Sequence, residues 1–128
     1  MRKYGLLRMA FVAFFATLTF ASSAQTSVGE KINIRDFRVV KNQNKVSINW
    51  STDEKVSTNY FEVEKSNDGK IFKTVAYVLG ADPSKADCEC YGCFDKINTH
   101  SKESYYRLKH VNRNGEVQFS EVKMLAVK

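Results

Sequence analysis

"KVSINWST", residues 45 to 52, decides the fold. Val46, Ile48 and Trp50 alternate there with Ser47, Asn49 and Ser51. A strict period of two belongs to a strand with one buried and one wet face. The same period recurs further along. "YFEVEKS" (60–66) sets Phe61 and Val63 against Tyr60, Glu62 and Glu64, and "SYYRLKHV" (104–111) sets Tyr106 and Leu108 against Tyr105. The predicted core is therefore Val46, Ile48, Trp50, Phe61, Val63, Tyr106 and Leu108. Burying a large apolar side chain of this kind stabilises by about 1.5 to 3 kcal/mol.

Between these runs lie turn signals. Asp68-Gly69 follows "YFEVEKS" and tolerates the positive φ of a tight hairpin, and Asn114-Gly115 joins "SYYRLKHV" to a last strand, "VQFSEVKMLAV" (117–127). "INIRDFRVV" (32–40), "FKTVAYVLG" (72–80) and a short strand near Tyr91 bring the total to about seven strands, the pattern of an immunoglobulin-like sandwich. No segment after the first two dozen residues carries a 3.6-residue stripe. Pro83 sits in the loop "GADPSKAD" (80–87), where it breaks no ladder. The expectation is an all-β antiparallel β-sandwich over residues 32–128, after a loose lead-in, "QTSVGEK" (25–31).

The first 24 residues read as a secretory signal. Arg2, Lys3 and Arg8 precede an apolar run from Met9 to Phe20, and Ser22 and Ala24 are placed for signal peptidase. A membrane anchor needs about 20 apolar residues, and this run is shorter and interrupted by Thr17 and Thr19. Cleavage after Ala24 takes three of the 20 basic residues and none of the 14 acidic ones, which leaves a net charge of +3 on 104 residues. That suits one domain with its own core and no membrane span. The lysines are scattered, so the clustered patch that a nucleic acid requires is missing. The destination is the periplasm or the exterior.

Longer stretches carry a resemblance. "INWSTDEKVSTNYFEVEKSNDGKIFKTVAYV" (48–78) and "YYRLKHVNRNGEVQFSEV" (105–122) hold Trp50, Thr52 and Glu54, then Phe61, Glu62, Val63, Glu64, Ser66, Asp68 and Gly69. Tyr105, Tyr106, Arg107, Leu108 and Gly115 follow. This pattern resembles the fibronectin type III-like modules of secreted Bacteroidetes proteins, of the kind often found next to type IX secretion sorting domains. The resemblance spans roughly Phe37 to Val127 and implies the fold, while it says little about a ligand. The chain ends at "EVKMLAVK" (121–128), on the last strand, so a periplasmic resting place is expected as readily as an external one.

Catalytic patterns are lacking. No G-x-S-x-G, H-E-x-x-H or phosphate-binding glycine loop occurs. Glu62 and Glu64 fall on one outward face, where a charge ladder facing lysines such as Lys109 is the expected role. His110 reads as a strand-end side chain. Tyr60, Tyr77 and Tyr105 lean outward and are candidates for a binding face. The triplet Asn49-Trp50-Ser51 matches a glycosylation acceptor but lies in a strand beside the core tryptophan.

"CECYGC", residues 88 to 93, holds all three cysteines. Export favours a disulfide. A Cys90–Cys93 bridge requires a turn at Tyr91-Gly92, a Cys88–Cys93 loop is feasible, and Cys88–Cys90 sits about 6.6 Å apart in a strand, at the outer limit for a bridge. One thiol is then left over, with the option of a disulfide-linked dimer. Alternatively, Cys88, Cys90, Cys93 and His100 supply a sulfur-rich set for zinc or copper, at a spacing foreign to zinc fingers. A thiol-exchange pair at Cys90 and Cys93 would need a helix N-terminus to lower the thiol pKa, and no helix is expected. The functional expectation is a non-catalytic binding or structural module, without a cofactor, presenting loops and edge strands to a protein or glycan of the cell envelope. A small metal-binding envelope protein is the alternative.

Overall fold

The computed structural model describes residues 31–52, 58–80 and 89–127. The expected signal peptide, the lead-in before Lys31, Glu54, the Pro83 loop and Cys88 lie outside the described residues. Among the described residues the regular structure is strand throughout: β1 (Ile34–Asn42), β2 (Lys45–Thr52), β3 (Thr58–Ser66), β4 (Lys73–Leu79), β5 (Cys90–Lys96), β6 (Glu103–Asn112), β7 (Val117–Phe119) and β8 (Lys123–Ala126). One sheet has the order β1-β2-β5. The other runs β4-β3-β6-β7, with β8 also paired to β6, and every pairing is antiparallel. The fold is an all-β sandwich.

The period-two residues meet between the sheets. Val46, Ile48 and Trp50 point inward from β2, Phe61 and Val63 from β3, and Tyr106 and Leu108 from β6, and all seven are buried. Ile32, Phe37 and Tyr91 join the same cluster. Trp50 stacks on Tyr91 at 5.6 Å and meets Phe61 edge-on at 5.2 Å, offset arrangements that satisfy the ring quadrupoles. A polar latch also crosses the interior. Asp95 of β5 accepts hydrogen bonds at Oδ2 from Lys65 Nζ of β3 (2.7 Å) and from the hydroxyl of Tyr106 of β6 (2.9 Å).

Four local features depart from the sequence reading. The last strand is two: Ser120 interrupts it, its hydroxyl accepting from Leu108 N–H at 2.8 Å and its own N–H donating to Leu108 O at 2.9 Å. The strands among the described residues therefore number eight. The link from β3 to β4 is a wider loop than the tight hairpin expected at Asp68-Gly69. Asp68 Oδ1 accepts from the N–H groups of Lys70 and Ile71 and from Ser66 Oγ, which closes the loop on a side chain. β1 and β2 form a hairpin that has no Asn-Gly or Asp-Gly signal, because Gln43 itself adopts a φ of 53°. Finally, β5 runs straight through Gly92, so the chain makes no turn at Tyr91-Gly92.

Candidate functional site

The outer face of the larger sheet is built on β3 and β6. Their register sets Glu62 opposite Lys109 and Glu64 opposite Arg107. Glu62 Oε1 lies 2.9 Å from Lys109 Nζ, its Oε2 accepts from Thr74 Oγ1 at 2.7 Å, and Glu64 Oε2 accepts from Arg107 Nε. Both glutamates are buried although they point away from the core. The Lys109 ammonium holds the Glu62 carboxyl below its ordinary range, and the carboxylate raises Lys109 in return. A general acid needs the opposite shift. These carboxylates are ion-paired supports.

Arg107 is held further by aromatic rings. Its guanidinium sits 4.2 Å from the Phe72 ring and 4.3 Å from that of Phe119. Sequence reading missed this clamp, because Phe72 and Phe119 lie in segments whose adjacency depends on register. Of the three outward tyrosines, Tyr60 and Tyr77 meet edge-on at 6.0 Å, and Tyr77 is 69% exposed. Tyr105 stands at the other end of the sheet, opposite Ser66, with its hydroxyl donating to Glu103. The three do not form one platform. Val75, Leu79, Val117, Phe119 and Met124 are exposed around them.

The cysteine cluster divides across β5. Cys90 is on the outer face, while Cys93 is a free cysteine packed against the core. Burial, with some help from Asp95, pushes the Cys93 thiol up to about 11. Such a thiol is a poor nucleophile and a poor bridge to a second chain. His100 is exposed in a turn, where its N–H donates to Asn98 Oδ1. Among the described residues, no group of three His, Cys, Asp or Glu side chains is placed to hold a metal ion.

His110 is not a peripheral strand-end residue. It is 1% exposed, its Nε2 lies 3.0 Å from Thr58 Oγ1, and its ring packs on Phe61 at 5.0 Å. Among the described residues Nδ1 has no hydrogen-bond partner, and burial lowers the pKa of the imidazole. The partner Thr58 lies 52 residues away, which local sequence does not reveal.

The outer face of the smaller sheet holds a cleft of about 400 Å³ lined by Asp36, Arg38, Asn49, Ser51 and Cys90, with the backbone region of Trp50 and Tyr91 beneath. Three features shape it. A bulge between Arg35 and Arg38 places Asp36 at a φ of 53°, a left-handed conformation that costs a non-glycine residue about 1 kcal/mol or more. The bulge aims the carboxylate at Ser51, whose Oγ is 3.4 Å from Oδ2, and at Arg38, whose Nη2 is 3.6 Å from Oδ1. Gly92 leaves the floor open, since a Cβ there would come within 2.8 Å of Asn49 Oδ1.

No protein-family description matches this chain, and no curated protein matches it. Solved structures do share the fold. The chain superimposes on pectate lyase PelI from Erwinia chrysanthemi, crystallised with tetragalacturonic acid, at a TM-score of 0.52 and 14% identity, over 72% of this chain and 27% of that one. It also matches β-1,2-glucanase from Parabacteroides distasonis at a TM-score of 0.54 and 16% identity, over 77% of this chain and 13% of that one. Pectate lyase Pel3 from Pectobacterium carotovorum gives 0.53 and 20%, over 73% of this chain and 26% of that one. The chain spans about a quarter or less of these proteins.

Proposed function

We propose that this chain is an exported, non-catalytic binding or structural module of the fibronectin type III-like kind, which presents its sheet faces and edge strands to a protein or glycan partner in the periplasm or outside the cell. The observation that carries the reading is the state of the outward side chains. Glu62 and Glu64 of the larger face are each closed by a cation, while Tyr77, Leu79, Phe94 and Phe119 stand exposed. Exposed aromatic groups beside fixed polar ones suit recognition. The similar sandwiches form a minor part of larger proteins named as polysaccharide-degrading enzymes. That fits a module that accompanies chemistry performed elsewhere, an analogy of fold alone.

Cleavage after Ala24 belongs to the same reading, as does a local staple between Cys88 and Cys90. Cys93 is free and packs against the core, which leaves Cys88 and Cys90 as the pair. The test is affinity capture from a cell-envelope extract alongside a glycan array. Recovery of a defined protein or glycan partner is the expected result, and a protein that retains neither ends the proposal.

A further inference from the structure

Register writes the outer face of the smaller sheet as a grid. Arg38, Asn49 and Gly92 form one row across β1, β2 and β5. The next row along the strands is Val40, Ser47 and Phe94, and the one after it is Asn42, Lys45 and Lys96. On the other side, Asp36 and Ser51 meet beside Cys90. The Arg38 row thus runs across the bare backbone of Gly92, and Phe94, which is 66% exposed, stands in the row beside it.

The charges on this face are unbalanced. Arg38, Lys45 and Lys96 are exposed cations, and the carboxylate among them, Asp36, lies 3.6 Å from Arg38 and is outnumbered by three to one. Lys45 Nζ lies 5.2 Å from the Phe94 ring, so a cation and an apolar wall adjoin. The cations of the first and last rows are about 13 Å apart along the strands, at four residues of rise. A repeating anion is favoured over a single one. The Asp36 carboxylate, on a residue in a left-handed conformation beside Asn49 and Ser51, adds acceptors to which hydroxyl groups would donate, which favours an anion that also carries hydroxyl groups over a bare phosphate chain.

We propose that this cleft binds an acidic polysaccharide built of uronate sugars. Arg38 pairs with a uronate carboxylate, since its planar fork matches that group. Asp36, Asn49 and Ser51 take sugar hydroxyls, Phe94 offers its ring to the apolar face of a pyranose, and Lys45 and Lys96 meet a further carboxylate along the chain. The proposal rests on the reading of this protein as a binding module and gives that module a ligand class.

Titration calorimetry of the full mature chain tests it, with an oligogalacturonate as probe and a neutral cello-oligosaccharide as comparison. Uronate binding is expected, weakening as salt rises and falling about tenfold or more in Arg38→Glu and in Phe94→Ala. Tyr77→Ala, on the opposite face, is expected to bind as the wild type does. Each altered side chain is exposed, and an unchanged melting temperature shows that the variants fold. Equal binding of the neutral probe, or loss in Tyr77→Ala with none in Arg38→Glu, overturns the assignment. Binding of neither probe also overturns it. Capture of a partner protein from envelope extract would then leave the broader module reading standing, and no capture would remove both.

Discussion

The hydroxyl of Tyr106 donates to Asp95 Oδ2 across the sandwich at 2.9 Å, and Lys65 Nζ reaches the same oxygen at 2.7 Å. Tyr106 belongs to the larger sheet and Asp95 to the smaller, so this carboxylate ties the layers together across a largely apolar core. Burial and the hydrogen bond to Asp95 hold the Tyr106 phenol above its ordinary pKa, and it remains a donor. Tyr106→Phe removes one bond and leaves Asp95 paired with Lys65, an expected loss of about 1 to 2 kcal/mol. Asp95→Ala orphans a buried hydroxyl and leaves the mostly buried Lys65 ammonium on the Lys96 carbonyl without its counter-charge, an expected loss of about 3 to 5 kcal/mol. Urea midpoints at constant m-value measure both, and an Asp95→Ala variant no weaker than Tyr106→Phe would contradict the latch.

His110 makes stability depend on pH in one direction. Burial lowers its folded pKa from 6.5, so as pH falls the unfolded chain takes up a proton before the folded one does. Its stabilising contribution is therefore complete above pH 6.5 and is lost as pH falls below that value, until the folded imidazole also titrates. The slope in that window is at most about 1.4 kcal/mol per pH unit, the limit for one proton. Unfolding midpoints between neutral pH and the onset of carboxylate titration should flatten in His110→Gln and persist in His100→Gln. A slope unchanged in His110→Gln assigns it to another group.

Cys93 should resist modification until the fold opens. Its thiol is pushed up to about 11 by burial and faces the core beside Ile48 and Asp95. Iodoacetamide at mildly alkaline pH is expected to add nothing to the folded protein and one group to the denatured, unreduced protein. After reduction all three cysteines should react. Intact mass spectrometry reads each state. Labelling of Cys93 in the folded protein would place it at the surface, and three additions without reduction would eliminate the Cys88–Cys90 bridge.

The strands and core were legible because a strand assigns faces by counting in twos. Val46, Ile48, Trp50, Phe61, Val63, Tyr106 and Leu108 are buried on that count alone. Gly115 was legible too, since its φ of 83° is where glycine is favoured after asparagine. Gln43 was not, because a side chain occupies a conformation that sequence assigns to glycine. The break at Ser120 depends on a hydroxyl accepting from a strand twelve residues back. The cleft is harder still to read. Arg38, Asn49 and Gly92 become neighbours only through two strand registers, and Asp36 reaches them through a bulge that composition does not announce. Period two showed that Asn49 faced outward and gave no hint of what stood beside it.

Arg107 holds the larger face through shape as well as charge. Its guanidinium lies between the rings of Phe72 and Phe119 and donates through Nε to Glu64, which is 8% exposed. Arg107→Lys keeps the charge but replaces a flat, weakly hydrated group with a compact ammonium that cannot stack on two rings. The expected cost is about 1 kcal/mol. Arg107→Met keeps much of the apolar contact and leaves the Glu64 carboxylate buried without its cation, a change expected to cost about 3 kcal/mol. Pairing Arg107→Met with Glu64→Gln should recover a large part of that loss, because the carboxylate is then no longer charged. A double-mutant cycle from urea unfolding measures the coupling. If Arg107→Lys proved as damaging as Arg107→Met, the aromatic clamp would dominate and the ion pair would be incidental; if Arg107→Lys cost nothing, the reverse would hold.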